Sequence, residues 1–125
     1  QVYNKQPVLF IRKMRASHIL VKHRGSRRQA SWKDPDGLEI RNRTREQAVE
    51  ILTNLRSQIH GPEDFAEIAK RCSDCSSARS GGDLGEFQKG QMMRPFEEAT
   101  LSLNVGEISG FVDTDSGTHI ILRTG

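Results

Sequence analysis

A pair of consecutive helical patterns enclosed between strand-like segments most constrains the fold of this chain. Thr44 forms a capping box with Gln47, and the apolar residues that follow recur at helical spacing up to Ile59. Gly61-Pro62 ends this helix and begins a second one, which should end near Ser73. With 125 residues, the chain is long enough for one domain with one core.

Strand-like segments lie on both sides of these helices. The segment "RASHILVKH", residues 15–23, is short and contains β-branched residues, which favours a strand. Alternation predicts one face with His18, Leu20 and Lys22 and another with Ile19 and Val21. Later segments predict a very short strand at Gly85 to Phe87 and a helix that begins at Pro95 and ends at Asn104 to Gly106. Two further strands are predicted, joined by a tight turn at Asp115-Ser116-Gly117. This order predicts an α+β domain with a small, mainly antiparallel sheet.

Positive charge is concentrated in the N-terminal third of the chain. Residues 1–45 hold 12 Lys and Arg against 3 Asp and Glu, and residues 46–125 hold 7 against 13, so the net charge of +3 divides into +9 and −6. Such a field is compatible with nucleic acid, an acidic membrane or a phosphorylated partner. Part of it lies in residues 24–43, which lack periodicity, and a loop of that length in a small domain is usually disordered or functional.

Three cations at the start of this loop can be brought together. Lys22 ends the first predicted strand, and Arg27 and Arg28 follow the flexible pair Gly25-Ser26. Two guanidinium groups and one ammonium suit the oxygens of a phosphate monoester. A solvated run of charges is the simpler interpretation of the spacing alone. Nucleic-acid binding is less favoured, because Trp32 is the one aromatic residue that accompanies these cations.

The two cysteines, Cys72 and Cys75, are expected to be free thiols. Their C-x-x-C spacing resembles a redox motif, but it falls at a helix C-terminus, and Cys72 lies on the apolar helix face and is expected in the core. A zinc site would need two further ligands, such as His18 and His119. Each of these histidines lies in a predicted strand among aliphatic residues, where a hydrogen-bonded interior role is more common than catalysis.

The sequence contains no apolar run long enough for a membrane span and no secretory signal pattern, so we expect an intracellular protein. Because the first residue is Gln rather than Met, the chain is expected to be a trimmed product or a fragment.

Several long motifs together resemble one family. The segments "SHILVKH", "SRR", "SDCSSARSGGDLGEFQKGQM", "PFEEA" and "TDSGTHIILR" occur in the order and approximate spacing of the parvulin peptidyl-prolyl isomerases. The cluster of Lys22, Arg27 and Arg28 makes the chain similar to the phosphorylation-dependent, Pin-type branch. The resemblance covers about Arg15 to Arg123 and implies a parvulin/FKBP-like four-stranded antiparallel sheet surrounded by about four helices.

The resemblance also implies roles for individual residues. The interior histidine pair of the family corresponds to His18 and His119, its active-site cysteine to Cys75, and its nearby hydroxyl groups to Thr114 and Ser116. The pocket for the substrate proline ring corresponds to Leu84, Met92 and Phe96, with Gln91 beside it. The phosphate-binding residues correspond to Lys22, Arg27 and Arg28.

The implied activity is cis/trans isomerisation of phosphoserine-proline and phosphothreonine-proline bonds by non-covalent rotation, without a metal or cofactor. The implied partners are proline-directed phosphoproteins of signalling and the cell cycle, in the nucleus and cytoplasm. The protein is expected to be a monomer and to bind neither nucleic acid nor a membrane. Residues 15–125 would form the catalytic domain, and residues 1–14 an extension of unknown role. A WW module needs two spaced tryptophans, and the chain has Trp32 alone.

Two other classes of protein compete with this interpretation. A phosphopeptide-binding module that has lost catalysis is disfavoured, because every active position that the resemblance marks is filled. A thiol oxidoreductase using Cys72 and Cys75 is disfavoured by the expected placement of Cys72 on an apolar helix face.

Overall fold

The computed structural model describes residues 13–125, in which a four-stranded sheet is packed between helices. The strands are β1 (Lys13–Val21), β2 (Asp83–Gln88), β3 (Val112–Thr114) and β4 (Gly117–Arg123). The α-helices are α1 (Arg45–Arg56), α2 (Pro62–Cys72) and α3 (Arg94–Leu101), and two short 3-10 helices span Ile40–Asn42 and Ser76–Ser80. The sheet order is β2-β1-β4-β3, with each neighbouring pair antiparallel. The predicted α+β class and antiparallel sheet are therefore confirmed, with three α-helices in the described part rather than about four.

The helix starts follow the sequence signals closely, whereas two helix ends come earlier than predicted. Thr44 and Gln47 form both hydrogen bonds of the capping box, and Pro62 opens α2. The first helix ends at Arg56, and Ile59 is buried in the core from the turn that follows. The apolar pattern therefore extends beyond the end of the helix. In the same way α3 ends at Leu101, before the predicted stop at residues 104–106.

The two faces of the sheet bury different cores. Ile19 and Val21 of β1 pack with α1 and α2 on one face, around Leu52 and Phe65. The opposite face, which includes Ala16 of β1 and Phe87 of β2, packs against Phe96 of α3. The predicted alternation of β1 is confirmed, because His18 contacts the ring of Phe96 in α3, on the face opposite Ile19 and Val21. Since β1 is a central strand covered on both faces, its residues 16–21 are all buried.

The stretch 24–43 is an ordered loop that surrounds one buried apolar side chain. Ile40 is fully buried. The Asp34 carboxylate accepts hydrogen bonds from the backbone N–H groups of residues 38, 39 and 40. Gly37, in the predicted turn, has a φ of 70°, and a Cβ there would meet the carbonyl oxygen of Gln29 at 2.1 Å. The loop is therefore held in a defined shape beside the end of β1.

The predicted extension, residues 1–14, lies outside the described residues except for Lys13 and Met14, which begin β1. Among residues 13–125, every helix is too short or too polar to cross a membrane.

Candidate active site

Two histidines from neighbouring strands meet on the α3 side of the sheet. In the β1–β4 register, Leu20 pairs with His119 and His18 pairs with Ile121, so the two imidazoles lie diagonally across the ladder on the same face. Their Nδ1 atoms are 2.9 Å apart, and both side chains are buried. One of the two nitrogens must donate and the other accept, because each has a single site for a proton. The residues predicted as an interior histidine pair are thus in direct contact.

A hydroxyl group from β3 completes the far side of this pair. The Thr114 Oγ1 atom lies 2.7 Å from His119 Nε2 and accepts a hydrogen bond of 3.1 Å from the backbone N–H of Ser116. The tight turn after β3, residues 115 and 116, brings Thr114 back beside β4, where Gly117 pairs with it. The turn therefore positions both predicted hydroxyl residues relative to the histidines.

The charge state of His119 is set by its surroundings. Burial, reinforced by the neighbouring His18 and opposed by Asp113, lowers the pKa of His119 to about 3, so the imidazole is neutral at physiological pH. A neutral imidazole has one N–H. If His119 donates to His18, it accepts the Thr114 hydroxyl proton at Nε2; if it donates to Thr114, it accepts from His18. The two hydrogen bonds of His119 are therefore coupled.

Cys75 lies at the other end of the histidine pair, where α2 has ended and the second 3-10 helix begins. Its thiol accepts a hydrogen bond of 3.5 Å from the backbone N–H of Ser77. Burial raises the pKa of Cys75, but the hydrogen bond and charge of His18, followed by Ser77, outweigh it and lower the value to about 6. Cys75 is therefore largely a thiolate at neutral pH.

Two buried polar atoms border this thiolate without a well-aligned partner. Among the side chains of residues 13–125, only His18 Nε2 and Ser77 Oγ are buried and form no hydrogen bond that meets strict geometry. The imidazole of His18 is nevertheless near enough to act on the Cys75 pKa. Because Nδ1 is engaged by His119, Nε2 is the His18 ring nitrogen that is left to act on Cys75.

The residues predicted to form a proline pocket cluster around the ring of Phe96. The centroid of the Phe96 ring lies 5.5 Å from that of His18 and 5.4 Å from that of His119, nearly perpendicular to both imidazoles. Leu84 and Met92 are half-buried and pack against the cluster that contains Phe96. These three predicted residues therefore come together next to the histidine pair.

Gln91, predicted beside this pocket, also serves the local backbone. Its Oε1 atom accepts a hydrogen bond of 2.6 Å from the Gln88 N–H, which closes the turn between β2 and α3. The residue itself is exposed at the rim.

A cavity of about 480 Å³ opens beside Cys75, and two cationic side chains line it. Lys22 and Arg28 line it, together with Cys75, Ser76 and Ser116. The Lys22 ammonium donates to the Ala30 carbonyl at 2.7 Å, which leaves two of its three protons for other acceptors. Arg27 is exposed and does not line the cavity, although its backbone N–H donates to the Asp115 carbonyl at 2.7 Å. Two of the three predicted phosphate-binding residues thus share one cavity.

A buried carboxylate that the sequence did not single out holds this basic region. Asp74 accepts hydrogen bonds of 2.9 Å from the Lys22 backbone N–H and from the Ser31 hydroxyl, and lies 3.6 Å from the Arg43 guanidinium. It joins the end of β1 to both ends of the basic loop. Its position beside Cys75 in "SDCSS" was the one available signal, since an acidic residue just after a helix end is common on a surface.

Both cysteines are free thiols, and Cys72, the last residue of α2, packs against the core on the α1 and α2 side. Its predicted core placement agrees with this. Within residues 13–125, no group of three or more His, Cys, Asp or Glu side chains is arranged to hold a metal ion.

Comparison with known proteins places this geometry in a family. The family described as Rotamase, PPIC-type PPIase domain, matches residues 18–125. The protein named peptidyl-prolyl cis-trans isomerase Pin1 in Digitalis lanata is 61% identical over 114 residues, which cover 90% of this chain and 97% of that protein. The Arabidopsis thaliana protein of the same name is 62% identical over 112 residues, 89% and 94% of the two chains. The structure of the peptidyl-prolyl isomerase ESS1 from Candida albicans superposes with a TM-score of 0.83 at 48% identity, over 90% of this chain and 63% of that one.

These relatives share both the fold and almost the full length of the chain, and the predicted parvulin resemblance is confirmed. The chain belongs to the PPIC-type peptidyl-prolyl cis-trans isomerases, and its reaction is the rotation of peptide bonds that precede proline.

Proposed function

We propose that the chain isomerises phosphoserine-proline and phosphothreonine-proline bonds, and that the cavity of Lys22 and Arg28 binds the phosphate. The observation that carries this proposal is the pairing of two cations in one cavity next to Cys75. The one acidic residue that lines it, Asp74, is already engaged by Lys22, Ser31 and Arg43. The cavity therefore sets two cations against the Cys75 thiolate, and Arg28 has no ion-pair partner among the described residues.

The electrostatics of Lys22 support an anionic ligand. Burial first, and then the positive charge of Arg28, lower the pKa of Lys22, with Asp74 and Cys75 acting in the opposite direction. Arg28 forms no ion pair within residues 13–125. A phosphate dianion would relieve the repulsion between the two cations and accept hydrogen bonds from both. Arg27, exposed at the rim, would add a third contact from outside the cavity.

The cavity of Lys22 and Arg28 is termed the phosphate cavity. The phosphate cavity and the proline pocket are arranged as expected for a substrate in which a phosphorylated residue precedes proline. Cys75 lines the phosphate cavity, and His18, which acts on Cys75, contacts Phe96 in the proline pocket. A substrate bound at both places would have its rotating peptide bond between them, over Cys75. Two fixed ends allow binding energy to act on the bond that must twist.

The chemistry requires rotation and no bond cleavage. The barrier for a peptide bond is roughly 18 to 20 kcal/mol, because rotation disrupts amide conjugation. In the twisted state the carbonyl is less polar and the nitrogen more pyramidal than in the planar amide. An apolar pocket for the ring favours this state over the planar one, and the negative charge of the Cys75 thiolate beside the carbonyl disfavours the polar ground state. In this proposal Cys75 acts electrostatically, and the His18, His119 and Thr114 chain sets its protonation.

The proposed partners are proteins phosphorylated by proline-directed kinases, in the nucleus and cytoplasm. The support is the similarity to proteins named Pin1 together with the cation pair described above.

The test compares two peptides that differ only in phosphorylation, one with phosphothreonine-proline and one with threonine-proline. NMR exchange spectroscopy measures their cis/trans rates with catalytic amounts of protein. We expect strong acceleration of the phosphorylated peptide alone, and we expect the double variant Arg27→Ala/Arg28→Ala to lose this preference by about 10-fold or more, since each charged hydrogen bond contributes about 1.5–3 kcal/mol.

Arg24→Ala is the matched control, because Arg24 is an exposed cation of the same loop that does not line the cavity. Equal acceleration of both peptides by the unaltered protein would refute phosphate recognition and leave a general prolyl isomerase. Binding of the phosphopeptide without acceleration would instead indicate a recognition module.

A further inference from the structure

A second cavity, of about 310 Å³, opens beside the phosphate cavity and takes no part in the function proposed above. It is lined by Trp32, Lys70, Ser76 and Arg79. Trp32 and Ser76 also line the phosphate cavity, whereas none of the proline-pocket residues lines either one. The two cavities are therefore neighbours that share Trp32 and Ser76, and together they are termed the groove.

The tryptophan in this groove is exposed yet fixed. Half of its surface (51%) is open to solvent, although the indole Nε1 donates a hydrogen bond of 2.8 Å to the Ser73 carbonyl. An aromatic plane held by its polar edge offers an apolar surface at little cost in side-chain entropy. The aliphatic part of a peptide side chain can lie against it.

Two cationic side chains line this cavity with Trp32, and neither has a strong acidic partner among the described residues. Arg79 forms no ion pair within residues 13–125, and the one partner of Lys70 is Glu67, at 3.9 Å on the same helix, with both side chains more than half exposed. An exposed pair of that length contributes little. No acidic side chain lines the cavity, so its charge is complementary to an anion.

The direction of a bound substrate decides which residues reach this groove. The phosphorylated residue precedes the proline, so the peptide enters the site from the phosphate cavity and its earlier residues extend away from the proline pocket. Three extended residues span about 10 Å, enough to pass from one cavity into its neighbour.

We propose that the cavity of Trp32, Lys70 and Arg79, the upstream subsite, binds an acidic side chain at one of the three positions before the phosphorylated residue. This inference rests on the proposed function, because it takes its direction from the phosphate. The carboxylate pairs with Lys70 and Arg79, and its aliphatic stem packs on the indole of Trp32. The protein therefore prefers phosphorylated sites that follow an acidic residue.

The experiment uses phosphothreonine-proline peptides with Glu placed singly at each of the three preceding positions, each paired with a Gln peptide of equal length. NMR exchange gives kcat/KM for every peptide and for its unphosphorylated counterpart. At one position we expect a Glu-over-Gln ratio of about threefold at low salt, the size of a favourable exposed charge pair, and a loss of that ratio in Lys70→Gln/Arg79→Gln. Arg71→Gln removes an exposed charge of the same helix that does not line the cavity, and keeps the ratio.

A Glu-over-Gln ratio near one at all three positions, with phosphate dependence intact, would overturn the upstream subsite and leave the proposed function standing. A ratio that persists in the double variant would do the same, by assigning the preference to other residues. A third peptide series with Phe in place of Glu tests an aromatic occupant, and a gain for Phe without one for Glu would also contradict the proposal. Loss of phosphate dependence in the Gln peptides would instead refute the proposed function itself.

Discussion

The charge of Cys75 depends on a residue that is distant in the sequence. The motif "SDCSS" identifies the cysteine, but its protonation depends on His18, which is 57 positions earlier in the chain and adjacent only after folding. The same holds for His119, whose low pKa follows from burial and from contact with His18. Both charge states therefore arise from contacts in the folded protein rather than from either residue alone.

The lowered pKa of Cys75 predicts a reactive thiol at mildly acidic pH. The thiolate is the nucleophile, so the rate of alkylation by iodoacetamide should rise with pH to a plateau, with its midpoint near pH 6 rather than near the 9.0 of an unperturbed thiol. His18→Asn removes the hydrogen bond and charge and should move the midpoint above 8, because the burial that remains raises the pKa.

Mass spectrometry of the alkylated peptides distinguishes Cys75 from Cys72, which serves as an internal control in the same protein. A Cys75 midpoint above pH 8 in the unaltered protein would show that His18 does not stabilise the thiolate.

At the scale of elements, the loop 24–43 differs most from what its sequence indicates. Without periodicity it predicted either disorder or function, and the structure gives it order through side-chain contacts to distant backbone. Asp74 binds the end of β1 and Ser31, and Trp32 binds the carbonyl of Ser73. Patterns of apolar residues report helices and strands but not such polar links, which explains why Asp74 was missed while α1 and α2 were found.

Asp74→Asn should uncouple this loop from the strand that it follows. The amide keeps the shape of the carboxylate but loses its charge and one acceptor, so we expect a loss of about 1–3 kcal/mol in the free energy of unfolding. Because Lys22 is tied directly to Asp74, we also expect kcat/KM to fall more for the phosphothreonine-proline peptide than for threonine-proline. Urea unfolding and the NMR exchange assay measure the two effects.

Asp36→Asn provides the comparison, since Asp36 is an exposed acid of the same loop. A uniform loss on both peptides would assign Asp74 a purely structural role, and an unchanged stability would remove it from the loop framework.

Over the whole molecule, the candidate active site depends on pairing between strands from the two ends of the described chain. β1 and β4 are neighbours in the sheet, and the contact between His18 and His119 joins residues 101 positions apart. The element order predicted an antiparallel sheet, but the register that makes these two histidines diagonal partners has no signature in either strand alone. The histidine pair was predictable only from the resemblance to a family.

This burial of a neutral histidine makes the stability of the whole fold depend on pH. The pKa of His119 is about 3 in the folded protein against 6.5 for an ordinary histidine. Between these values the unfolded chain binds a proton that the folded protein does not, so acid favours unfolding and stability rises with pH. Asp34, Asp83 and Asp113 have their pKa values lowered from 3.8 by hydrogen bonds and ion pairs, so their contributions are lost only at still lower pH.

We therefore expect the free energy of unfolding to fall by about 2 kcal/mol from pH 7.5 to pH 5.0 on account of His119 alone. Cys75 has a lowered pKa of its own in this range, so urea unfolding is compared in a Cys75→Ser background, with and without His119→Asn. The background protein should show the full decrease in the free energy of unfolding, and the His119→Asn protein should show a decrease smaller by about 2 kcal/mol. His23, whose pKa is also lowered by burial, contributes equally to both proteins. Parallel pH profiles for the two proteins would mean that His119 takes up a proton in the folded state. The assignment of His119 as a neutral histidine, on which the hydrogen-bond chain depends, would then be wrong.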